Sequence, residues 1–123
     1  MDASGYDLIL ECNGTLRHVQ IKSRKLDGAT ANWGLHLDLA AKASGCFVLM
    51  LHSVHKARFK LEYRYFGGRP GDPLVSLESR AKMVHSVKRT KRENHRKINW
   101  GDLREPLDAP GLMVSLFGPR TAP

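Results

Sequence analysis

The sequence predicts an α/β domain built on a mixed β-sheet, and three observations support this fold class. Alternating apolar residues flank Asn13-Gly14, the dipeptide favoured in type I′ turns, which predicts a β-hairpin of residues 6–11 and 16–22. Residues 33–44 have the periodicity of a helix. Residues 46–52 form a continuous apolar run of strand length, which is typical of a central strand buried on both faces.

The helix over residues 33–44 is predicted from its spacing and its ends. Its residues at helical spacing are Trp33, Leu37, Ala40 and Ser44. Asn32 is a suitable N-cap, and Gly45 follows the last turn, as glycine often does where a helix ends. Apolar residues also lie on the other flank of this segment, so we expect the helix to pack between neighbouring elements.

Beyond the apolar run, residues 59–66 alternate between apolar and charged side chains and predict a half-exposed strand. A Gly- and Pro-rich loop, residues 67–73, ends a core of residues 1–73. We expect a basic C-terminal extension, residues 74–118, to pack on the same domain, and residues 119–123 to form a loose tail. Two short elements are predicted in the extension, a helix over residues 74–87 and a final docked element over residues 112–117.

Size and composition limit the class of protein. The chain has 123 residues, of which 41% are hydrophobic, as expected for one folded domain. Its longest apolar run is far shorter than a bilayer crossing, so no membrane span is expected. Residues 1–6 lack the basic start and apolar stretch of a secretory signal, and we expect a cytoplasmic location. Cys12 and Cys46 have no metal-site spacing and are expected to be reduced thiols.

Charge indicates the class of partner. The chain has 20 basic and 12 acidic side chains, a net charge of +8, and most of the excess lies in residues 80–97. Because each Lys or Arg that neutralises a phosphate releases counterions, such clustering favours nucleic acid as the partner. The residues of this segment expected to contact phosphates are Lys88, Arg89, Lys91, Arg92, Arg96 and Lys97. A solvated basic face without a dedicated ligand is the alternative.

The hairpin register brings three polar residues together. If the Asn-Gly dipeptide forms the turn, paired residues have numbers that sum to 27, and Asp7 lies opposite Gln20. Their Cβ atoms would be about 4.5–5.5 Å apart, close enough for both side chains to bind one metal ion. Lys22 shares a face with Gln20, whereas Ile21 lies on the opposite face. The hairpin therefore has a polar face and an apolar core face.

An aspartate on one strand and a Gln-Ile-Lys triplet on the next resemble the PD-(D/E)XK nuclease superfamily, which includes restriction enzymes. The resembling segments are Gly-Tyr-Asp-Leu-Ile at residues 5–9 and Val-Gln-Ile-Lys-Ser at residues 19–23. The helix over residues 33–44 and the strand over residues 46–52 match the order of the family's core. The resemblance thus covers about half of the chain, and it implies a restriction endonuclease-like fold.

The resemblance also implies a metal-dependent nuclease that hydrolyses phosphodiester bonds, with DNA as the expected substrate. Asp7 and Gln20 would bind Mg²⁺ or Mn²⁺, and the backbone carbonyl of Ile21 would add a third oxygen. Lys22 would position or activate the attacking water. Three residues after the site would help to bind the nucleic acid: Ser23, Arg24 and Lys25.

Two features depart from the family pattern. Gln20 stands where the family usually has an acid, and the lost negative charge should weaken metal binding. The family also normally has a helix before the strand that carries the aspartate, and only six residues precede Asp7. That helix would come from a partner chain or an upstream region, or be absent altogether. A homodimer is expected because cutting both strands of a duplex takes two sites.

Two other functions stay open. A non-catalytic nucleic-acid-binding module could retain the fold and the basic surface without the site, and the two departures favour it. A small structural or ribosome-associated basic protein is the other alternative, for which the register of Asp7, Gln20 and Lys22 would be a coincidence. Cleavage that EDTA abolishes indicates the enzyme, whereas salt-sensitive binding without cleavage indicates the module.

Overall fold

The computed structural model describes residues 6–84 and 91–119, and of Lys91 it describes the backbone alone. In chain order the strands are β1 (Leu8–Cys12), β2 (Thr15–Lys25), β3 (Asn32–His36), β4 (Cys46–His55), β5 (Arg58–Gly67), β6 (Lys82–Val84) and β7 (Lys91–Asn99), and the helix α1 is Ala109–Phe117. Short 3₁₀ helices span Leu37–Ala41 and Trp100–Asp102. The fold combines helix and sheet as predicted, although strands contribute most of the structure in the described residues.

The first sheet has the strand order β1-β2-β4-β5. It is mixed, because β2 and β4 run parallel whereas the other neighbouring strands run antiparallel. The predicted hairpin is confirmed as β1 and β2, and the strands predicted over residues 46–52 and 59–66 are confirmed as β4 and β5. The apolar run therefore forms an interior strand, as its composition indicates.

The turn between β1 and β2 has the backbone that its sequence predicts. Asn13 and Gly14 have φ angles of 51° and 82°, in the left-handed region that a type I′ turn requires. The ladder pairs Cys12 with Thr15, and the pairing continues along β1 to Leu8 and Val19. The predicted register, in which paired numbers sum to 27, therefore holds along the whole of β1.

The prediction of a helix over residues 33–44 is wrong. This segment consists of β3 followed by the 3₁₀ helix Leu37–Ala41. Trp33 and Leu35 are both buried and lie two positions apart, which is the spacing of a strand with one buried face. Local spacing favoured a helix, but pairing with β7, which is distant in sequence, determined the structure.

The second sheet has the strand order β3-β7-β6 and joins the basic segment to β3. β7 is antiparallel to both neighbours, and its register with β6 shifts between Lys82 and Met83. Residues 74–84 contain no helix, so the helix predicted over residues 74–87 is wrong for its described part. The last three residues of that prediction, and the predicted tail beyond Pro119, lie outside the described residues.

The first sheet is the middle of three layers. On one face it packs against the second sheet, and the buried residues between them are Trp33, Leu35, Leu39, Phe47, Leu49, Leu51, Leu74, Leu77, Ile98 and Leu103. On the other face it packs against α1, with Leu116 among Val19, Val48 and Tyr65. The element predicted over residues 112–117 is therefore confirmed as a docked segment. None of the helices in residues 6–84 and 91–119 is long and apolar enough to cross a bilayer.

A buried arginine fastens α1 to the first sheet. Arg17 of β2 is fully buried, and its guanidinium donates to the carbonyls of Ser44, Ser115 and Leu116 at 3.1–3.2 Å. The last two carbonyls belong to the C-terminal turn of α1, where carbonyls lack helical partners and carry partial negative charge. The guanidinium also lies 5.4 Å from the centroid of the Tyr65 ring, and burial raises the pKa of Tyr65 to about 12.

Candidate functional site

Asp7 lies at the end of β1, where β2 continues beyond its partner strand. Its backbone N–H donates to the Val19 carbonyl at 2.8 Å, and its Oδ2 accepts from the Ile21 N–H at 2.7 Å. The ladder of β1 and β2 ends at the pair of Leu8 and Val19, so the predicted pairing of Asp7 with Gln20 lies one step beyond it and stays a prediction. Asp7 thus takes over the hydrogen bonding of β2 where the β1 ladder ends, and its carboxylate is fixed beside the Gln-Ile-Lys triplet.

The carbonyl of Ile21 points to the same edge of β2. In an extended strand the N–H and C=O of one residue point to the same side, which is how directly paired antiparallel residues exchange two hydrogen bonds. Because the Ile21 N–H donates to Asp7, the Ile21 carbonyl also faces the edge at which the carboxylate lies. The structure therefore brings two of the three predicted oxygen ligands to one edge of the sheet.

The side chain of Gln20 is buried, with 8% exposure, and its Oε1 has no hydrogen-bond partner within the described residues. Leaving a buried polar atom without a partner costs about 1–3 kcal/mol. Such an atom is therefore often explained by a bound ion, a water or a catalytic role. The face predicted to be polar also holds Phe47 and Leu49 of β4, so this face is open to solvent at Lys22 but closed at Gln20.

A metal site at this position would rest on oxygen donors alone. In residues 6–84 and 91–119 no group of three or more His, Cys, Asp or Glu side chains could hold a metal ion. The predicted ligands are instead the Asp7 carboxylate, the Gln20 amide oxygen and the Ile21 carbonyl. These are hard donors of the kind that Mg²⁺ and Mn²⁺ prefer, although they carry a single negative charge. These donor types suit such a cation, which would also supply an interaction to Gln20 Oε1, an atom without a hydrogen-bond partner in the described residues.

Lys22 lies near enough to His95 of the second sheet for its charge to affect the pKa of that imidazole. Burial lowers the pKa of the His95 imidazole on β7, and the positive charges of Arg92, His36 and Lys22 lower it further. His36 and His95 are paired across β3 and β7, with ring centroids 5.1 Å apart. We call these four residues the Lys22–His95 surface. No local pattern marks His36 as part of a site, because only the fold brings β3 beside β7.

Hydrogen bonds determine the neutral tautomers of both histidines. Arg92 Nη2 lies 3.1 Å from His95 Nε2, and because a guanidinium only donates, the His95 ring proton lies on Nδ1. The Asp38 N–H donates to His36 Nδ1 at 3.0 Å, which places the ring proton of neutral His36 on Nε2. Each ring thus keeps one N–H donor beside the cations of Lys22 and Arg92. Such a set of donors suits phosphate oxygens.

The three residues predicted to bind nucleic acid after Lys22 differ in their surroundings. Ser23 and Lys25 are exposed. Arg24 is half-buried, and its guanidinium donates to three carbonyls within residues 25–30. It also lies 4.4 Å from the centroid of the Trp100 ring. Arg24 therefore holds the loop after β2 in place.

The predicted phosphate-binding residues of the basic segment that the structure describes differ in their exposure. Two others of the predicted set, and the side chain of a third, lie outside the described residues: Lys88, Arg89 and Lys91. Arg96 is 9% exposed, and its Nη1 donates to the Glu93 carbonyl, so this side chain is held within the fold. Arg92 is exposed and Lys97 is half-buried. Of the described residues in this group, Arg92 is the one that adjoins Lys22 and the histidines.

Comparison of the chain with protein-family models, with curated proteins and with solved structures gives no significant match.

Proposed function

We propose that this chain is a metal-dependent nuclease that hydrolyses phosphodiester bonds in DNA. The observation that carries the proposal is the Asp7 carboxylate, held at the edge of β2 by the Ile21 N–H, together with a buried Gln20 oxygen that has no hydrogen-bond partner among residues 6–84 and 91–119. A bound Mg²⁺ or Mn²⁺ would supply Lewis acidity toward a phosphoryl oxygen and would lower the pKa of a water molecule.

The protein's own residues would orient the reaction. The hydrogen bond from Ile21 fixes Asp7 before any substrate arrives, so little ordering of the carboxylate is needed on binding. Gln20 would contribute its amide oxygen to the metal ion from its buried position on β2. Lys22 is exposed on the face of Gln20, where its ammonium would hold the attacking water and offset charge that develops on the phosphate.

The Lys22–His95 surface supports nucleic acid as the substrate. It combines two cations with two imidazole N–H donors whose tautomers are fixed by hydrogen bonds. Phosphate oxygens accept from such donors, and a chain with a net charge of +8 attracts a polyanion at long range. A phosphate bound to this surface would contact Lys22, the residue that follows Ile21 in β2.

A non-catalytic nucleic-acid-binding module is the second candidate. The single negative charge of the ligand set favours it, since Mg²⁺ sites usually draw on more carboxylate or phosphate charge. So does the lack of any cluster of three acidic, His or Cys ligands in the described ranges, 6–84 and 91–119. Such a module would use the same Lys22–His95 surface and would bind without cutting.

The test is cleavage of plasmid and single-stranded DNA in Mn²⁺ or Mg²⁺, with EDTA as the metal-free arm. We expect cleavage by the wild type that EDTA, Asp7→Asn and Lys22→Ala each abolish. Asp72→Asn is the matched control, because Asp72 is an exposed acid in a loop. This variant should cleave as the wild type does. Equal cleavage by Asp7→Asn and the wild type would contradict the proposal, and tight binding without cleavage would support the second candidate.

A further inference from the structure

The hairpin of β4 and β5 ends in a tip that the proposed catalytic site does not use. Val54 and Phe59 are directly paired across this hairpin and are 69% and 66% exposed. Phe59 also lies nearly parallel to the His52 ring, at 18° and a centroid distance of 6.5 Å. Single exposed apolar residues are ordinary on a protein surface. A paired aliphatic and aromatic residue, stacked on an imidazole at the end of a hairpin, is a more organised surface.

The turn at this tip places two residues other than glycine in a left-handed backbone conformation. Lys56 and Ala57 have φ angles of 49° and 64°, both in the left-handed region. The turn between β1 and β2 also has two positive φ angles, but it uses Asn13 and Gly14, the residues that adopt them most easily. Lys56 and Ala57 therefore hold an unfavourable backbone, and such strain is found most often in functional segments.

The surroundings of the tip are basic. Lys56 and Arg58 are exposed at the turn, and Lys25 pairs with His52 at the end of β2, on the same face as Phe59. An open cleft of about 610 Å³ lies between the end of β2 and β4, and Asp27 is the one acid in its lining. The apolar pair is thus flanked by cations on both sides.

We propose that the tip of the β4–β5 hairpin binds single-stranded nucleic acid, with Phe59 stacking on an unpaired base and Lys25 and Lys56 contacting its phosphates. Exposed aromatic rings beside cationic side chains are the usual means of binding single strands, since every base has a face on which a ring can stack. In a duplex the bases are already stacked on one another, so Phe59 has no free base to contact. The inference takes from the proposed function only that the partner is nucleic acid.

The tip and the proposed catalytic site can be tested separately. Val48 is the partner of Ile21 in the ladder of β2 and β4. From Val48 to Val54 the strand advances by about 20 Å, at ~3.3 Å per residue. Val54 also shares the face of Val48, which packs against α1, whereas Gln20 and Lys22 lie on the opposite face. A substitution at Phe59 therefore leaves the Asp7 region intact.

The experiment is fluorescence anisotropy of a labelled single-stranded oligonucleotide and of a duplex of equal length, in EDTA, over a series of salt concentrations. Phe59→Ala should weaken single-strand binding by about 5- to 150-fold, affect the duplex much less, and leave the salt dependence unchanged. Phe59→Trp should retain the affinity of the wild type. Val75→Ala is the matched control, because Val75 is 64% exposed but lies in the loop after β5, and it should bind as the wild type does.

Five outcomes decide the matter. Unchanged single-strand affinity in Phe59→Ala overturns the inference, and so does an equal loss for single strand and duplex. If the tip instead contacts a second copy of the chain, Phe59→Ala changes the molar mass measured by sedimentation equilibrium without changing oligonucleotide affinity. That result also overturns the inference. If the wild type never cleaves DNA but Phe59→Ala still weakens single-strand binding, the inference stands and the nuclease proposal is removed. A wild type that binds neither form overturns the inference, while the nuclease proposal is decided by cleavage in Mn²⁺ or Mg²⁺.

Discussion

The carboxylate of Asp7 accepts a hydrogen bond from the backbone N–H of Ile21 at 2.7 Å, where the β1 ladder ends. This bond gives Asp7 a structural role, because it satisfies a strand amide that β1 no longer reaches. The same carboxylate is the charged member of the proposed metal site. Two substitutions are needed to separate the structural from the chemical role.

The first prediction compares Asp7→Asn with Asp7→Ala. The amide oxygen of Asn can still accept from the Ile21 N–H, so Asp7→Asn should change the free energy of unfolding by less than about 0.5 kcal/mol. It should nevertheless lose metal-dependent cleavage, because the negative charge is gone. Asp7→Ala removes the acceptor and should lower the free energy of unfolding by about 1 kcal/mol. Urea unfolding and plasmid cleavage measure the two effects, and an Asp7→Asn variant that still cuts DNA would exclude a role for the charge.

A second prediction concerns the Gln20 oxygen that lacks a hydrogen-bond partner in the described part of the chain. Gln20→Met keeps the length of the side chain and removes the buried, unpartnered oxygen, so it should raise the free energy of unfolding in EDTA by about 1 kcal/mol. Mn²⁺ should then stabilise the wild type but not the variant, because a ligand that binds only the folded state stabilises it. Thermal unfolding with and without Mn²⁺ tests both statements. Equal stabilisation of the two proteins by Mn²⁺ would place the metal elsewhere.

The third prediction tests the attachment of α1. Arg17→Met leaves the carbonyls of Ser44, Ser115 and Leu116 without their donor and should lower the free energy of unfolding by about 2 kcal/mol or more. Arg17→Lys should restore little, because an ammonium cannot reproduce the fork of a guanidinium. Arg69→Met, at an exposed position, is the control and should change stability little. Urea unfolding of the three variants decides, and a fully stable Arg17→Met would show that apolar packing alone holds the helix.

The parts of the fold that the sequence predicts correctly depend on residues close together in the chain. Asn13-Gly14 determines its own turn, and the turn determines the register of β1 and β2 as far as the pair of Leu8 and Val19. Arg17 also has a local signal: it alternates with Val19 and Ile21, which places it on the core face. A buried cation in that pattern implies acceptors on the element that covers it.

The parts that the sequence does not predict depend on pairing between distant residues. β3 has helical spacing, yet it pairs with β7, whose composition is mostly polar and basic and has no strand pattern of its own. The partnership of His36 with His95, and with it the Lys22–His95 surface, follows from this pairing. Local periodicity contains no information about such a contact, because tertiary pairing overrides propensity.

The fourth prediction exchanges the sequences of the two hairpin turns. Lys56→Asn with Ala57→Gly should raise the free energy of unfolding by about 1–2 kcal/mol, because these residues relieve the left-handed strain. The reciprocal change at Asn13 and Gly14, to Lys and Ala, should lower it by a similar amount. Urea unfolding gives both values. The stabilised tip variant should bind single-stranded DNA with a salt slope smaller by about 0.7, since it lacks one cation. An unchanged slope would mean that Lys56 does not contact phosphate.

The last prediction follows from the lowered pKa of His95. Burial contributes most to this shift, and the charges of Arg92, His36 and Lys22 add to it. In the unfolded chain the imidazole has its ordinary pKa of about 6.5. As the pH falls below that value, the unfolded state therefore binds more protons than the folded state, and the folded state loses stability down to the pKa of His95 in the fold.

His95→Gln lacks this penalty, so the stability of the variant relative to the wild type should rise between pH 8 and pH 5, measured by urea unfolding at each pH. A phosphate bound at the Lys22–His95 surface would favour the protonated ring and reduce the loss in the wild type. Parallel pH profiles for the two proteins would show that His95 titrates as it does in the unfolded chain.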